Sequence, residues 1–309
     1  MSTPLADRIA AAPISWGVCE VPGWGWQHRP ETVLTQMRQL GVSATEFGPD
    51  GFLPDDPQAK AQTLADYDLA AVGQFVPVVL HDPGTDPMPA VQAAMEGLIA
   101  AGAGVVVIAA ATGVDGYDDR PELGEDGWAY LLGALDRIDA AARERGLTAA
   151  LHPHVGTMVE SGEDTERVLA GSRIGLCLDT GHLLIGGGDP VALAATHPER
   201  VVHVHLKDVD LDQARQVQAG ERSYTDAVRT RMYVALGEGD VDIAAIVSSL
   251  EGAGYTGWYV LEQDMMLAED PAGTGSAAQG EVEQGAVDPV IDVRASIDHL
   301  LSVDPAKGA

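Results

Sequence analysis

The chain has 309 residues, 46% of them hydrophobic, with 47 acidic against 18 basic side chains and a formal net charge of −29. Its lysines are Lys60, Lys207 and Lys307 alone, so no basic face exists to neutralise a phosphate backbone, and nucleic acid is excluded as an expected partner. No apolar run reaches the roughly 18 to 20 residues that span a bilayer, no basic leader precedes an apolar stretch at the N-terminus, and Cys19 and Cys177 form no disulfide framework. A soluble, cytoplasmic protein without membrane partners is expected.

Short β-type runs alternate with segments of helical period along the chain, the pattern of βα units around a parallel sheet. The first strand is expected over 9–16 and leaves Ser15 and Trp16 at its end; Trp24 and Trp26 follow. Such an aromatic wall suits the apolar face of a sugar or cyclitol ring. Pro30 opens a helix with Val33, Leu34, Met37 and Leu40 on one face, and Gly41 stops it. Strands follow over 44–47, 70–79 and Val105–Ala111. A helix over 127–145 aligns Trp128, Leu131, Leu132, Leu135 and Ile138 and ends in a basic turn before Gly146. Strands over 148–152, Gly175–Asp179, Val201–Leu206 and 258–262 complete the set, with helices over 240–250 and Pro289–Ser302. The fold class is therefore α/β, a single (β/α)8 TIM barrel spanning 1–309. The stretches 211–236 and 264–287 break the alternation and are expected to be long loops on the active face.

Strand periodicity carries the chemistry, because side chains two apart share a face. In VVHVHLKD, His203, His205 and Lys207 share the inward face, while Val202, Val204 and Leu206 meet the helices. The same alternation turns Cys177 and Asp179 inward on one strand, and Val260 and Glu262 on another. His152 ends the strand over 148–152. Four neighbouring strands thus end in His152, Asp179, His205 and Glu262, a set of metal ligands whose mixed imidazole and carboxylate donors suit Mn²⁺, Co²⁺, Fe²⁺ or Zn²⁺. Burying several carboxylates without a cation would be costly. His203 is expected to support the site from one layer deeper. Lys207 continues the inward face and is expected to bind a hydroxyl or keto oxygen, or to move a proton with its pKa lowered by burial and the metal. Glu46, at the end of strand two, reads as a substrate ligand or second catalytic carboxylate. His154, His182, Trp16 and Arg222 complete the expected substrate contacts.

The motifs PISWG (13–17), HPHVGTMV (152–159), LDTGHL (178–183), HVHLKDV (203–209), GEGDVD (237–242) and YVLEQD (259–264) occur in an order that resembles the xylose isomerase-like barrel superfamily of sugar isomerases and epimerases. Within it, nearly the whole chain is most similar to the inosose dehydratases of inositol catabolism. The resemblance implies a divalent metal, Mn²⁺ or Co²⁺, and a hydro-lyase acting on scyllo-inosose (2-keto-myo-inositol) to give a trihydroxycyclohexane dione. The epimerase branch holds its metal with Glu, Asp, His and Glu; Asp179, His205 and Glu262 match the last three, but the first position is His152. That departure favours the dehydratase branch. Glu262, His152 or Lys207 would serve as base. A ketose or inosose isomerase or epimerase is the alternative, and a non-catalytic polyol-binding barrel or partner-dependent subunit the second; a homo-oligomer is compatible with all three.

Overall fold

The computed structural model describes residues 3–114, 116–118, 120–268 and 288–307. Elements follow in the order β1 (Ile9–Ala11), α1 (Pro30–Gln39), β2 (Ala44–Thr45), α2 (Pro57–Asp66), β3 (Ala70–Ala71), β4 (Gly73–Val79), α3 (Met88–Ala101) and β5 (Val105–Ala111). The middle of the chain adds α4 (Glu125–Glu144), β6 (Thr148–Leu151), α5 (Gly162–Gly171), β7 (Gly175–Asp179), α6 (Thr180–Ile185), α7 (Pro190–Thr196) and β8 (Val201–Leu206). An excursion of β9 (Asp208–Val209), α8 (Leu211–Gln218), α9 (Tyr224–Arg229) and β10 (Tyr233–Val234) precedes α10 (Ile243–Gly252), β11 (Tyr259–Leu261) and α11 (Pro289–Ser302).

All strands of the main sheet pair in parallel, in the order β3-β2-β1-β11-β8-β7-β6-β5-β4. β3 and β4 stand at the two ends of that order, yet only Val72 separates them in the chain. The chain therefore closes the ring itself. The N–H of Val72 donates to Thr45 at 3.0 Å and that of Phe47 to Gly73 at 3.1 Å, so β2 spans the junction. Counting β3 and β4 as one stave gives the eight expected of a (β/α)8 barrel.

The outer helices form where apolar residues recur at helical spacing. α1 opens on Pro30 and buries Val33, Leu34 and Met37, while α4 buries Trp128, Leu131, Leu135 and Ile138. α5 begins with a capping box, in which Ser161 and Asp164 satisfy each other's backbone N–H groups. These faces join Val106, Ile108, Leu176 and Val204 in one core between sheet and helices. Small side chains fill the inside of the ring, with Ala10, Ala12, Ala44, Val72 and Val260 on one side and Val107, Ala150 and Cys177 on the other.

Three expectations change. The first strand ends at Ala11, and Pro13–Trp16 turns into a 3-10 helix closed by Gly17 at φ +76°. Pro13 has no N–H for a ladder and fixes its own φ, which ends the strand before Trp16. Val202 does not join the helix-facing residues of β8: the register shifts between Leu176 and Cys177, and Val202 packs with the interior cluster around Cys177. Such a bulge re-aims one side chain and leaves the alternation of His203, His205 and Lys207 intact. Finally, 211–236 is an ordered excursion rather than a loop, with Asp210 and Ser223 capping α8 and α9 and β10 pairing antiparallel with β9. One carboxylate ties its two ends together. Asp208 accepts the N–H groups of Val209 at 2.9 Å, Gly237 at 2.8 Å, Gly239 at 3.1 Å and Val241 at 3.0 Å. A Cβ on Gly239 would lie 2.3 Å from Asp208 Oδ1, so only glycine fits there. The other expected loop, 264–287, lies outside the described residues from position 269 onward.

Candidate active site and metal centre

The C-terminal ends of β6, β7, β8 and β11 bring His152, Asp179, His205 and Glu262 together, all but Glu262 fully buried. Asp179 divides its two oxygens. Oδ1 caps α6 by accepting from the N–H groups of Gly181 at 3.0 Å and His182 at 2.8 Å, whereas Oδ2 is buried without a hydrogen-bond partner. His152 Nε2 lies 3.3 Å and His205 Nδ1 3.7 Å from that oxygen. His205 Nδ1 also sits 2.8 Å from Glu262 Oε2, yet neither it nor His152 Nε2 makes a hydrogen bond of acceptable geometry. Lone-pair atoms that crowd a common point without bonding to one another fit a cation between them. The donor atoms of Asp179, His205 and Glu262 lie within 4.8 Å of one another, as do those of His152, Asp179 and His182. Asp179 belongs to both sets, and the residues fit a divalent metal.

Glu46 supports this centre from across the ring. Its Oε1 accepts from His203 Nε2 at 2.7 Å and from His205 Nε2 at 3.0 Å. With its Nε2–H so engaged, His205 can turn the Nδ1 lone pair toward a cation held together with the carboxylates opposite. Glu46 also borders the cavity. His203 thus takes the supporting place expected of it.

Lys207, fully buried, has Nζ 2.9 Å from Glu262 Oε2, 3.7 Å from Asp179 Oδ2, and in contact with Asp264. Burial alone would lower its pKa, but Asp264, Glu262 and Asp179 outweigh that and hold the ammonium well above its ordinary value. Of the two influences expected to lower it, burial and a metal, burial is outweighed by these carboxylates. Burial likewise works against Glu262, but His205 and Lys207 bring its pKa down to about 2. Burial also opposes the Asp179 carboxylate, and Lys207 leads the groups that hold it well below the usual range. His154 moves the other way: burial and then His152 push it down to about 3, leaving a neutral ring whose Nδ1–H donates to Val155 O at 2.7 Å.

These groups open onto a cleft at the mouth of the barrel. Its lining includes Glu46, His152, His154, Lys207, Glu262 and Asp264, and the aromatic rings of Trp24, Phe75 and Tyr117. Trp24 and Tyr117, edge to face at 6.1 Å, supply the aromatic wall. Trp16 does not: it is wholly buried in the main core with its indole N–H donating to Gln36 at 2.8 Å, because the turn after Pro13 carries it away from the barrel mouth. Arg222 also lies apart from the lining, bonded to Gln213 at 3.1 Å. His182 stacks on His154 with ring centroids 3.6 Å apart, one layer behind the cavity wall.

The sequence profile described as "Xylose isomerase-like TIM barrel" matches residues 34–280. The chain belongs to the xylose isomerase-like TIM barrel family. Within the family, it is 34% identical over 270 residues to the rhizopine catabolism protein MocC of Rhizobium meliloti, covering 84% of this chain and 82% of that one. It is 31% identical over 278 residues to an inosose dehydratase of Geobacillus kaustophilus, covering 86% and 88%. A solved structure of the IOLI protein, titled as having a bound zinc atom, superposes with a TM-score of 0.67 over 97% of this chain and 98% of its own, at 13% identity. That last likeness concerns the fold of the family.

Asp264 was not singled out from the sequence, although it stands in phase with Val260 and Glu262. Extending the alternation one step past the strand finds it. Tyr224 and Tyr233, which adjoin Asp264 from the excursion, carry no comparable signal.

Proposed function

We propose that the protein is a metal-dependent hydro-lyase that dehydrates a cyclic polyol ketone of the inosose type, with scyllo-inosose as the substrate. The observation that carries this reading is one carboxylate oxygen, Glu262 Oε2, placed 2.8 Å from His205 Nδ1 and 2.9 Å from the ammonium of Lys207. An ionised carboxylate and a protonated amine side by side form an asymmetric pair, suited to taking one proton and giving another. The imidazole of His152 stands where epimerases of the family carry a second carboxylate. The relatives named inosose dehydratase support the reaction class.

Asp179, His205 and Glu262, with His152 beside Asp179, would hold Mn²⁺ or Co²⁺. Such a cation supplies Lewis-acid polarisation of the ketone oxygen. Glu262 takes the proton α to the carbonyl. Lys207, kept charged by its carboxylate neighbours, donates a proton to the β-hydroxyl as it leaves as water, and the resulting enol tautomerises to the dione. Trp24, Phe75 and Tyr117 cover the ring's apolar face and limit water around the reacting atoms.

Incubating the Co²⁺- or Mn²⁺-loaded protein with scyllo-inosose tests this reading. A product lighter by one water and absorbing as a conjugated dione is expected. An isomer of unchanged mass would replace the reading with epimerisation, and unaltered substrate in the presence of a full metal complement would replace it with a binding role.

A further inference from the structure

Behind Lys207 lies a buried polar chain that the reaction above does not use. Lys207 Nζ contacts Asp264 Oδ1, and Asp264 Oδ2 accepts the hydroxyl of Tyr224 at 2.5 Å. The hydroxyls of Tyr224 and Tyr233 lie 3.1 Å apart, and that of Tyr233 lies 3.4 Å from His182 Nδ1. The backbone N–H of His182 in turn donates to Asp179 Oδ1 at 2.8 Å. Asp264, Tyr224, Tyr233 and His182 are each buried, so the chain runs from the lysine to the carboxylate of the candidate metal centre with little access to solvent. The fit is tight: a Cβ on Gly181 would come 2.7 Å from Lys207 Cβ and 2.8 Å from the Tyr233 ring.

We propose that Asp264 is the positioning residue for Lys207, and that Tyr224, delivered by α9 of the excursion, holds Asp264 in the orientation that keeps the ammonium over Glu262. A long, four-carbon side chain has many rotamers. Glu262 and Asp179 give Nζ partners at 2.9 and 3.7 Å, and Asp264 adds a third carboxylate that fixes it. Asp264 itself follows the last strand and needs an anchor, which the Tyr224 hydroxyl provides. The role deepens the hydro-lyase reading and rests on it for its catalytic consequence, but the placement of Lys207 is testable without turnover.

The chain has three lysines, so acetylation by an N-hydroxysuccinimide ester resolves each by peptide mass spectrometry, with Lys60 as internal reference. In Tyr224→Phe and Asp264→Asn, Lys207 is expected to label several-fold faster relative to Lys60 than in the unaltered metal-loaded protein. With substrate, kcat is expected to fall about tenfold in Tyr224→Phe and about 100-fold in Asp264→Asn, with KM within about twofold and metal content unchanged. Asp264→Glu is expected to recover part of the loss. Unchanged Lys207 labelling in the folded Tyr224→Phe protein overturns the positioning role, whatever happens to kcat. Turnover that fails already in the unaltered protein overturns the hydro-lyase reading, and the labelling ratio then decides the positioning role alone. Tyr224→Phe keeps the ring and carries the test if Asp264→Asn does not fold.

Discussion

Removing Asp179 or Glu262 takes away a proposed metal donor, and each loss also leaves Lys207 with one fewer counter-charge. We expect Asp179→Ala and Glu262→Ala to retain less than about a tenth of the bound metal of the unaltered protein under equal Co²⁺, measured by elemental analysis after gel filtration. Full metal content in both folded variants would refute the ligand set. Glu46→Gln is a gentler change, since it keeps the shape but weakens the acceptor for His205 Nε2–H. Metal affinity should fall by about 10 to 100-fold, as is usual when a ligand histidine loses its supporting carboxylate; a Co²⁺ titration followed by its d–d absorption reads this directly. Period-two alternation was enough to bring His152, Asp179, His205 and Glu262 to one place, because the bulge at Val202 left the alternation at these four positions intact. It says nothing of strength. The direction of the Lys207 shift depends on three carboxylates converging from two strand ends and a loop, and no spacing in the sequence counts them. Trp16 failed for a local reason, a proline that ended its strand five residues early.

Among the helices, α5 has a start whose contribution can be separated from the rest. Asp164 Oδ2 accepts from the N–H groups of Ser161 at 3.0 Å and Glu160 at 3.2 Å, and pairs with Arg120 at 2.5 Å. Partial burial works against the carboxylate, but the Ser161 N–H and Arg120 prevail and lower its pKa. A lowered pKa means stability that is present at neutral pH and lost as the pH falls through the folded-state value. Asp164→Asn should therefore cost about 1 kcal/mol in urea unfolding near about pH 7, and the difference from the unaltered protein should shrink as the pH falls below the ordinary aspartate range. A deficit that stays constant on acidification would contradict the assignment. Long helices such as α4 were legible because several turns repeat the same apolar face. α8 and α9 were not, being 8 and 6 residues long, with too few turns to show a period; their caps at Asp210 and Ser223 were the available sign.

The ring as a whole must close between its first and last strands, and Arg8 stitches that seam. Its guanidinium pairs with both oxygens of Glu251 at 2.7 and 2.8 Å and donates to the carbonyls of Gly257 at 3.0 Å and Tyr255 at 3.3 Å. These lie on α10 and the turn that feeds β11, the partner of β1. Ser15 adds a second stitch higher up, donating to Leu261 O and accepting from Gln263 N. Arg8→Ala strands several acceptors and should destabilise by about 3 kcal/mol, the lower end for a broken buried pair because Glu251 still meets solvent. A thermal midpoint within about a degree of the unaltered protein would show the seam to be held elsewhere. The eightfold alternation of strand and helix was readable along the chain, since each unit announces itself locally. The pairing of β1 with β11 joins residues some 250 positions apart, and only the closed fold requires it.

The carboxylate of Asp208 gives the excursion a common point of departure and return. What lies between its two ends forms a cassette outside the staves, tied to the barrel also where Gln218 meets Leu184, Tyr224 meets Asp118 and Arg231 meets Asp292. The proposed metal donors stand at the ends of the staves, whereas Tyr224 and Tyr233 belong to the cassette. On the proposed function, exchange of this one segment would alter how Lys207 and the adjoining wall meet a substrate while the proposed metal donors stay in place.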